Sequence, residues 1–205
     1  MTLDIDAIRL QIPYYLTSDP KQKAFLSELE ALGAGASRGY ITPPQYDEFI
    51  EELLQGDGWT GLQIYSFNDS NVRPVRGLIL SNSCDVAAEN QRTLPMKIIF
   101  VPIVKLAAIQ ARFEKAGLSP DQIAAKTSAI RSQSVTNIFY LPAEVPLEEE
   151  YVALLDDTHS IPSSFIPKAT DKLFTMTMAG FYLFLFKISI HFCRIQENVD
   201  RRVAV

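Results

Sequence analysis

Soft ligands are scarce in this chain: two cysteines, Cys84 and Cys193, and two histidines, His159 and His191, among 205 residues. Neither pair has the close spacing of a zinc site, so no metal and no cofactor is expected. Spacing alone does not decide whether Cys84 and Cys193 form a disulfide. Positive charge is not in excess either. Nineteen Lys and Arg against 24 Asp and Glu give a net charge of −5, which excludes coating nucleic acid through a globally basic surface and leaves only a local basic patch for RNA. Long hydrophobic runs are also missing. The richest, Ala179 to Cys193, is shorter than the ~20 residues of a membrane span and contains Lys187 and His191. A buried helix is expected there, and no membrane partner. The opening Met1-Thr2-Leu3-Asp4-Ile5-Asp6 is acidic and lacks the charged and apolar regions of a secretory signal, so a cytoplasmic protein is expected.

What is present suits a packed domain: 47% hydrophobic and 21% charged residues lie far from the disordered regime. The expected organisation is one domain, 1–205, with a helical part at 1–58, mostly strands at 59–178 and a C-terminal helix at 179–202. Three segments carry helix punctuation. Ser18-Asp19-Pro20 precedes Phe25, Leu29 and Leu32, with Gly33 as a stop. Thr42-Pro43-Pro44-Gln45 reads as a capping box before Tyr46, Phe49, Ile50, Leu53 and Leu54, ending at Gly56. Ser119-Pro120-Asp121-Gln122 opens a further helix within a helical insertion, 106–133. Strands are predicted at 62–67, 75–80, 98–104, 138–141, 151–155 and 173–178. The last alternates, with Phe174, Met176 and Met178 on one side. The fold class is α+β: a small curled antiparallel sheet or SH3-like barrel with N-terminal helices, the inserted helical segment and a long C-terminal helix.

Arg73-Pro74-Val75-Arg76-Gly77-Leu78-Ile79-Leu80-Ser81-Asn82, followed by Ile99-Phe100-Val101-Pro102-Ile103, resembles the MazF/PemK-like toxins over about residues 73–104. The resemblance implies a small SH3-like barrel, an RNA substrate, and an arginine and a hydroxyl residue as its catalytic groups. Val104 and Lys105 stand where that hydroxyl is expected. Arg76 is one residue out of register, which on a strand turns a side chain to the opposite face. Such a chain would keep the scaffold without the family's chemistry.

The densest polar segment is Ser81-Asn82-Ser83-Cys84-Asp85, where an apolar strand runs out into a loop. Cys84 could act as a nucleophile with His159 as its base; Arg76, Ser83 and Asp85 or His159 could supply acid–base groups to a metal-independent endoribonuclease. Alternatively, Ser and Asn cap a turn and Cys84 packs as a small apolar residue. Acidic residues recur at Asp85 and Glu89, at Glu148-Glu149-Glu150 and at Asp156-Asp157. They could approach a cation, though solvated strand ends explain them as well. On the C-terminal helix Lys187, His191, Arg194 and Arg201 form a basic line suited to phosphate or an acidic partner. The leading expectation is a non-enzymatic binding or regulatory protein of the bacterial cytoplasm, in a toxin–antitoxin or phage-defence setting that the resemblance implies. Its partner is expected to be a protein that meets Arg73, Arg76, Asn82, Glu89 and Arg92; a homodimer is compatible with this. The alternatives are the RNA endonuclease and a Cys84-dependent enzyme.

Overall fold

A computed structural model describes residues 27, 39–44, 50–86 and 96–193. Within them each of the six predicted strand segments forms a strand. Two more strands escaped the pattern because they are short. In chain order the elements are β1 (Ile41–Thr42), β2 (Gly58–Ser66), β3 (Asn71–Ile79), α1 (Ser83–Val86), β4 (Lys97–Lys105), α2 (Leu106–Lys115), α3 (Pro120–Arg131), β5 (Ile138–Leu141), β6 (Tyr151–Leu154), β7 (His159–Pro162), β8 (Lys172–Met176) and α4 (Met178–Cys193). The fold is α+β, built on one open eight-stranded sheet in the order β1-β8-β2-β3-β4-β6-β5, with β7 also paired to β4. The strand pairings are antiparallel.

Strand β4 organises the sheet. Its middle pairs with β3 through Gly77↔Pro102, Leu78↔Val101 and Ile79↔Phe100. On its other edge the first half pairs with β7 and the last three residues with β6. Because side chains alternate along a strand, β4 feeds two cores at once. Ile98 and Phe100 join Trp59, Leu62, Ile79 and Ile161 on one face. Val101 and Ile103 join Leu78, Phe139, Ala153, Phe174, Leu183 and Phe184 on the other. A third cluster packs Leu106, Ile109 and Ile130 of α2 and α3 against Tyr140 and Val152. Two glycines are required by geometry. Gly61, at φ +80°, lies where the β2–β3 register shifts between Trp59 and Leu62, a conformation that side chains disfavour. A Cβ on Gly77 would come within 2.7 Å of Leu62 and 2.8 Å of Phe100.

Local signals explain the helices. Ser119 caps α3 with a reciprocal capping box to Gln122 and proline in the first turn, as its sequence anticipates. The insertion at 106–133 is two helices, α2 and α3, rather than one run. Helix α4 is apolar along much of its length and buries Ala179, Leu183 and Phe184. No helix among the described residues is long and apolar enough to cross a membrane.

Two expectations need correction. Thr42 is not a helix cap: Ile41 and Thr42 pair with Met176 and Thr175 of β8, and residues 50–56 are turn and coil, so no helix runs to Gly56. Hydrogen bonding of the backbone to a sheet edge prevailed over a local capping pattern. Met178 is not the end of the alternating strand. It is 58% exposed and begins α4, while the buried side of β8 is Lys172, Phe174 and Met176. The helix expected at Ser18 to Gly33, residues 45–49 of the second helix and residues 194–202 of the C-terminal helix lie outside the described residues.

Candidate functional site

The Ser81–Asp85 segment turns out to be a corner whose side chains serve backbone groups, its own and those of neighbouring segments. Strand β3 ends at Ile79, and the neighbouring backbone needs acceptors that the ladder no longer supplies. Ser81 Oγ accepts from Ile99 N at 2.8 Å, Asn82 Oδ1 from Cys84 N at 2.9 Å, and Ser83 Oγ from Gln55 N at 2.9 Å. The Asn82 bond builds the turn, and the two serine bonds tie the corner to the start of β4 and to the segment before β2. Cys84 is an exposed thiol in the short helix that follows, with Asp85 beside it in the first turn. His159 lies on β7 across β4 from this corner. There it hydrogen-bonds Asp157 at 2.8 Å and stacks on Phe100 with ring centroids 5.7 Å apart. Its contacts thus go to Asp157 and Phe100.

Arg76 sits differently. It lies two residues before Leu78 on β3 and therefore projects to the same face, the face that carries Val101, Ile103, Tyr151 and Ala153. Strands β4 and β6 bring Lys105 opposite Tyr151 on that face. The Arg76 guanidinium donates to Tyr151 Oη at 2.5 Å and lies 5.5 Å from the centre of that ring. Around them opens a cleft of about 760 Å³, within the ~300–1,000 Å³ typical of ligand sites. Its apolar walls are Ile103, Val104, Ala108, Pro146, Leu147 and Leu173, and its polar rim is Arg76, Lys105, Glu148 and Glu149. Lys105 Nζ pairs with Glu149 at 2.5 Å. That carboxylate holds the Lys105 ammonium above its ordinary value, with the nearby Arg76 charge acting against it. Among the described residues no carboxylate pairs with Arg76.

The remaining candidates scatter. Arg73 is on the outer part of the β2–β3 hairpin and pairs with Asp69. Lys187, expected on an exposed basic line, is only 3% exposed. Its Nζ donates to the carbonyls of Gln133 at 2.8 Å and Val135 at 2.5 Å, and burial pulls its pKa down to about 8. His191 is half-buried, edge-on to Phe192. Glu89, Arg92 and Arg194 lie outside the described residues, as does the side chain of Cys193. No group of His, Cys, Asp and Glu among the described residues could hold a metal ion. Sequence reading missed Tyr151, Lys105 and Glu149 as a set. The available signal was that Lys105 ends one strand and Tyr151 begins another, but their pairing is a matter of register. No protein-family model matches this chain, and no curated protein matches it either.

Proposed function

We infer that this chain is a non-enzymatic binding protein that takes an anionic group of its partner in the Arg76 cleft. One observation carries the reading: Arg76 stands on the rim of an open cleft with apolar walls, bonded to a phenol instead of a carboxylate. A guanidinium so placed offers a planar fork of donors for a carboxylate or phosphate. The groups that could do covalent chemistry lie elsewhere. The hydroxyl of Ser83 serves the backbone, and His159 lies on β7 across β4 from the Cys84 corner, which argues against a Cys84-dependent reaction. The meander β2-β3-β4 supports reading the sheet as the scaffold of an SH3-like barrel. The bacterial toxin–antitoxin or phage-defence setting follows from the resemblance to MazF/PemK-like toxins.

A second reading, a metal-independent endoribonuclease of that kind, is favoured by the convergence of Arg76, Lys105 and the Tyr151 hydroxyl. Two cations and a phenol around one space can hold a phosphodiester and assist its cleavage. Against it, Val104 stands where the resemblance expects a hydroxyl, and its side chain packs with the cluster of α2 and α3. Incubating the protein with single-stranded and structured RNA separates the two. Intact RNA under varied pH supports the binding reading. Cleavage that disappears in both Arg76→Ala and Tyr151→Phe replaces it with the nuclease.

A further inference from the structure

Three consecutive glutamates beside the cleft have different fates. Glu150 is clamped: Arg131 grips both its oxygens at 2.7 and 2.6 Å, and Tyr140 Oη donates to it at 2.6 Å. Its carbonyl also accepts from Leu106 N, where α2 begins. Further up the loop Glu144 accepts from the backbone N–H groups of Tyr40 and Ile41, and Leu147 is buried. The loop is thus fixed on either side of Glu149. Glu149 itself reaches across the cleft rim to Lys105 in the open, both side chains being 55% exposed.

An exposed ion pair of this kind contributes little to stability, yet it fills one of the two cationic positions of the cleft with a carboxylate. We propose that the cleft receives an acidic segment of a protein partner, and that Glu149 stands in for one of the partner's carboxylates on Lys105 until it is displaced. This rests on the binding reading given above and adds the kind of partner and the control of its access. Charge complementarity supports it through Arg76 and Lys105. The apolar walls formed by Ile103, Pro146 and Leu173 suit aliphatic side chains between the acids. A nucleic acid brings a charge with every nucleotide and no aliphatic side chain for these walls, while Glu148, Glu149 and the chain's net charge of −5 oppose a long polyanion. A tethered carboxylate competes at a high effective concentration, so removing its charge should release affinity already present in the site.

The experiment is a fluorescence-anisotropy titration of a labelled peptide of alternating Glu and Leu against the full chain, at low and at physiological salt. It is repeated with Glu149→Gln, Arg76→Ala, the double variant and Glu148→Gln, each verified as folded by circular dichroism. Glu149→Gln should bind about 2- to 5-fold tighter than wild type, with a steeper salt dependence. Arg76→Ala should weaken binding about tenfold or more in either background. If wild type binds and Arg76→Ala weakens it, but Glu149→Gln gains nothing or no more than Glu148→Gln, the stand-in role is overturned and the site remains. If no variant binds the peptide while a single-stranded oligonucleotide binds with Arg76 dependence, the acidic partner is wrong and the site is for RNA. If neither probe binds in any variant, the binding reading falls with the proposal.

Discussion

The corner at Ser81–Ser83 and the cleft at Arg76 are separated by only a few residues of one strand, and they use their polar side chains in opposite ways. At the corner the ladder has ended. Backbone N–H groups of Gln55, Cys84 and Ile99 take the nearest side-chain oxygens. Arg76 lies mid-strand at the β2–β3 register shift, between Val75 paired with Leu62 and Gly77 paired with Trp59 and Pro102. Its guanidinium bonds the Tyr151 hydroxyl rather than a backbone group and lines the cleft. A polar cluster at the end of a strand is therefore weak evidence of a site, because the chain has local uses for it. A lone charge in mid-strand is stronger evidence, because it has none.

The largest effects are expected where polar groups are used deepest. Asp57 is 1% exposed. It pairs with Lys172 at 3.0 Å, accepts from Leu54 N at 2.9 Å and from Thr175 Oγ1 at 2.8 Å. Burial pushes its carboxyl up, and the Lys172 ammonium pulls it back down. Asp57→Ala leaves the ammonium buried without that carboxylate and should cost about 3–5 kcal/mol in urea unfolding. The double variant with Lys172→Met should recover part of this loss. A loss below ~1 kcal/mol would mean that the pair does not organise the junction of β2 and β8.

Lys187 is the contrasting buried lysine, held by two carbonyls rather than by a carboxylate. Its ammonium is charged in the unfolded chain up to about pH 10.5 but in the folded protein only up to about 8. Between those values the unfolded state holds a proton that the folded state has released. Stability should therefore rise with pH through that window, by at most ~1.4 kcal/mol per pH unit. Denaturant unfolding across the window measures it. Lys187→Met should flatten the rise, and an unchanged slope in the variant would assign it to other groups.

Much of the sheet was legible in the sequence because period-two alternation and apolar runs are local properties. The strands at 138–141 and 151–155 were found to within a residue of β5 and β6, and Ser119 marked α3. Position within the whole was not legible. Thr42 carried a capping pattern but entered an edge pairing with Thr175, 133 residues away. Lys187 followed a helical basic line but is buried because the loop at Gln133 offers carbonyls that no local signal announces. Arg76 was a candidate from its strand, and its face was settled by Leu78 beside it. Tyr151 and Lys105 became partners only through the β4–β6 register. The Ser81–Asp85 corner illustrates the same limit: the residue types were right for a site, and the location of unpaired backbone decided otherwise.

The smallest stability effect makes the sharpest comparison. Ser81→Ala removes the acceptor for Ile99 N, at a position where Ile99 is 42% exposed, so water replaces part of the bond and the loss should be about 1 kcal/mol. Arg76→Ala removes an exposed side chain whose partner is the Tyr151 hydroxyl, and stability should change by no more than ~0.5 kcal/mol. Binding should show the reverse order, with Ser81→Ala close to wild type and Arg76→Ala strongly impaired. Thermal or urea unfolding of both variants, beside one titration with the acidic peptide, tests the pair. If Arg76→Ala lost more stability than Ser81→Ala, the arginine would be a strut between β3 and β6. Its place on the cleft rim would then follow from packing, and the distinction between the two regions would disappear.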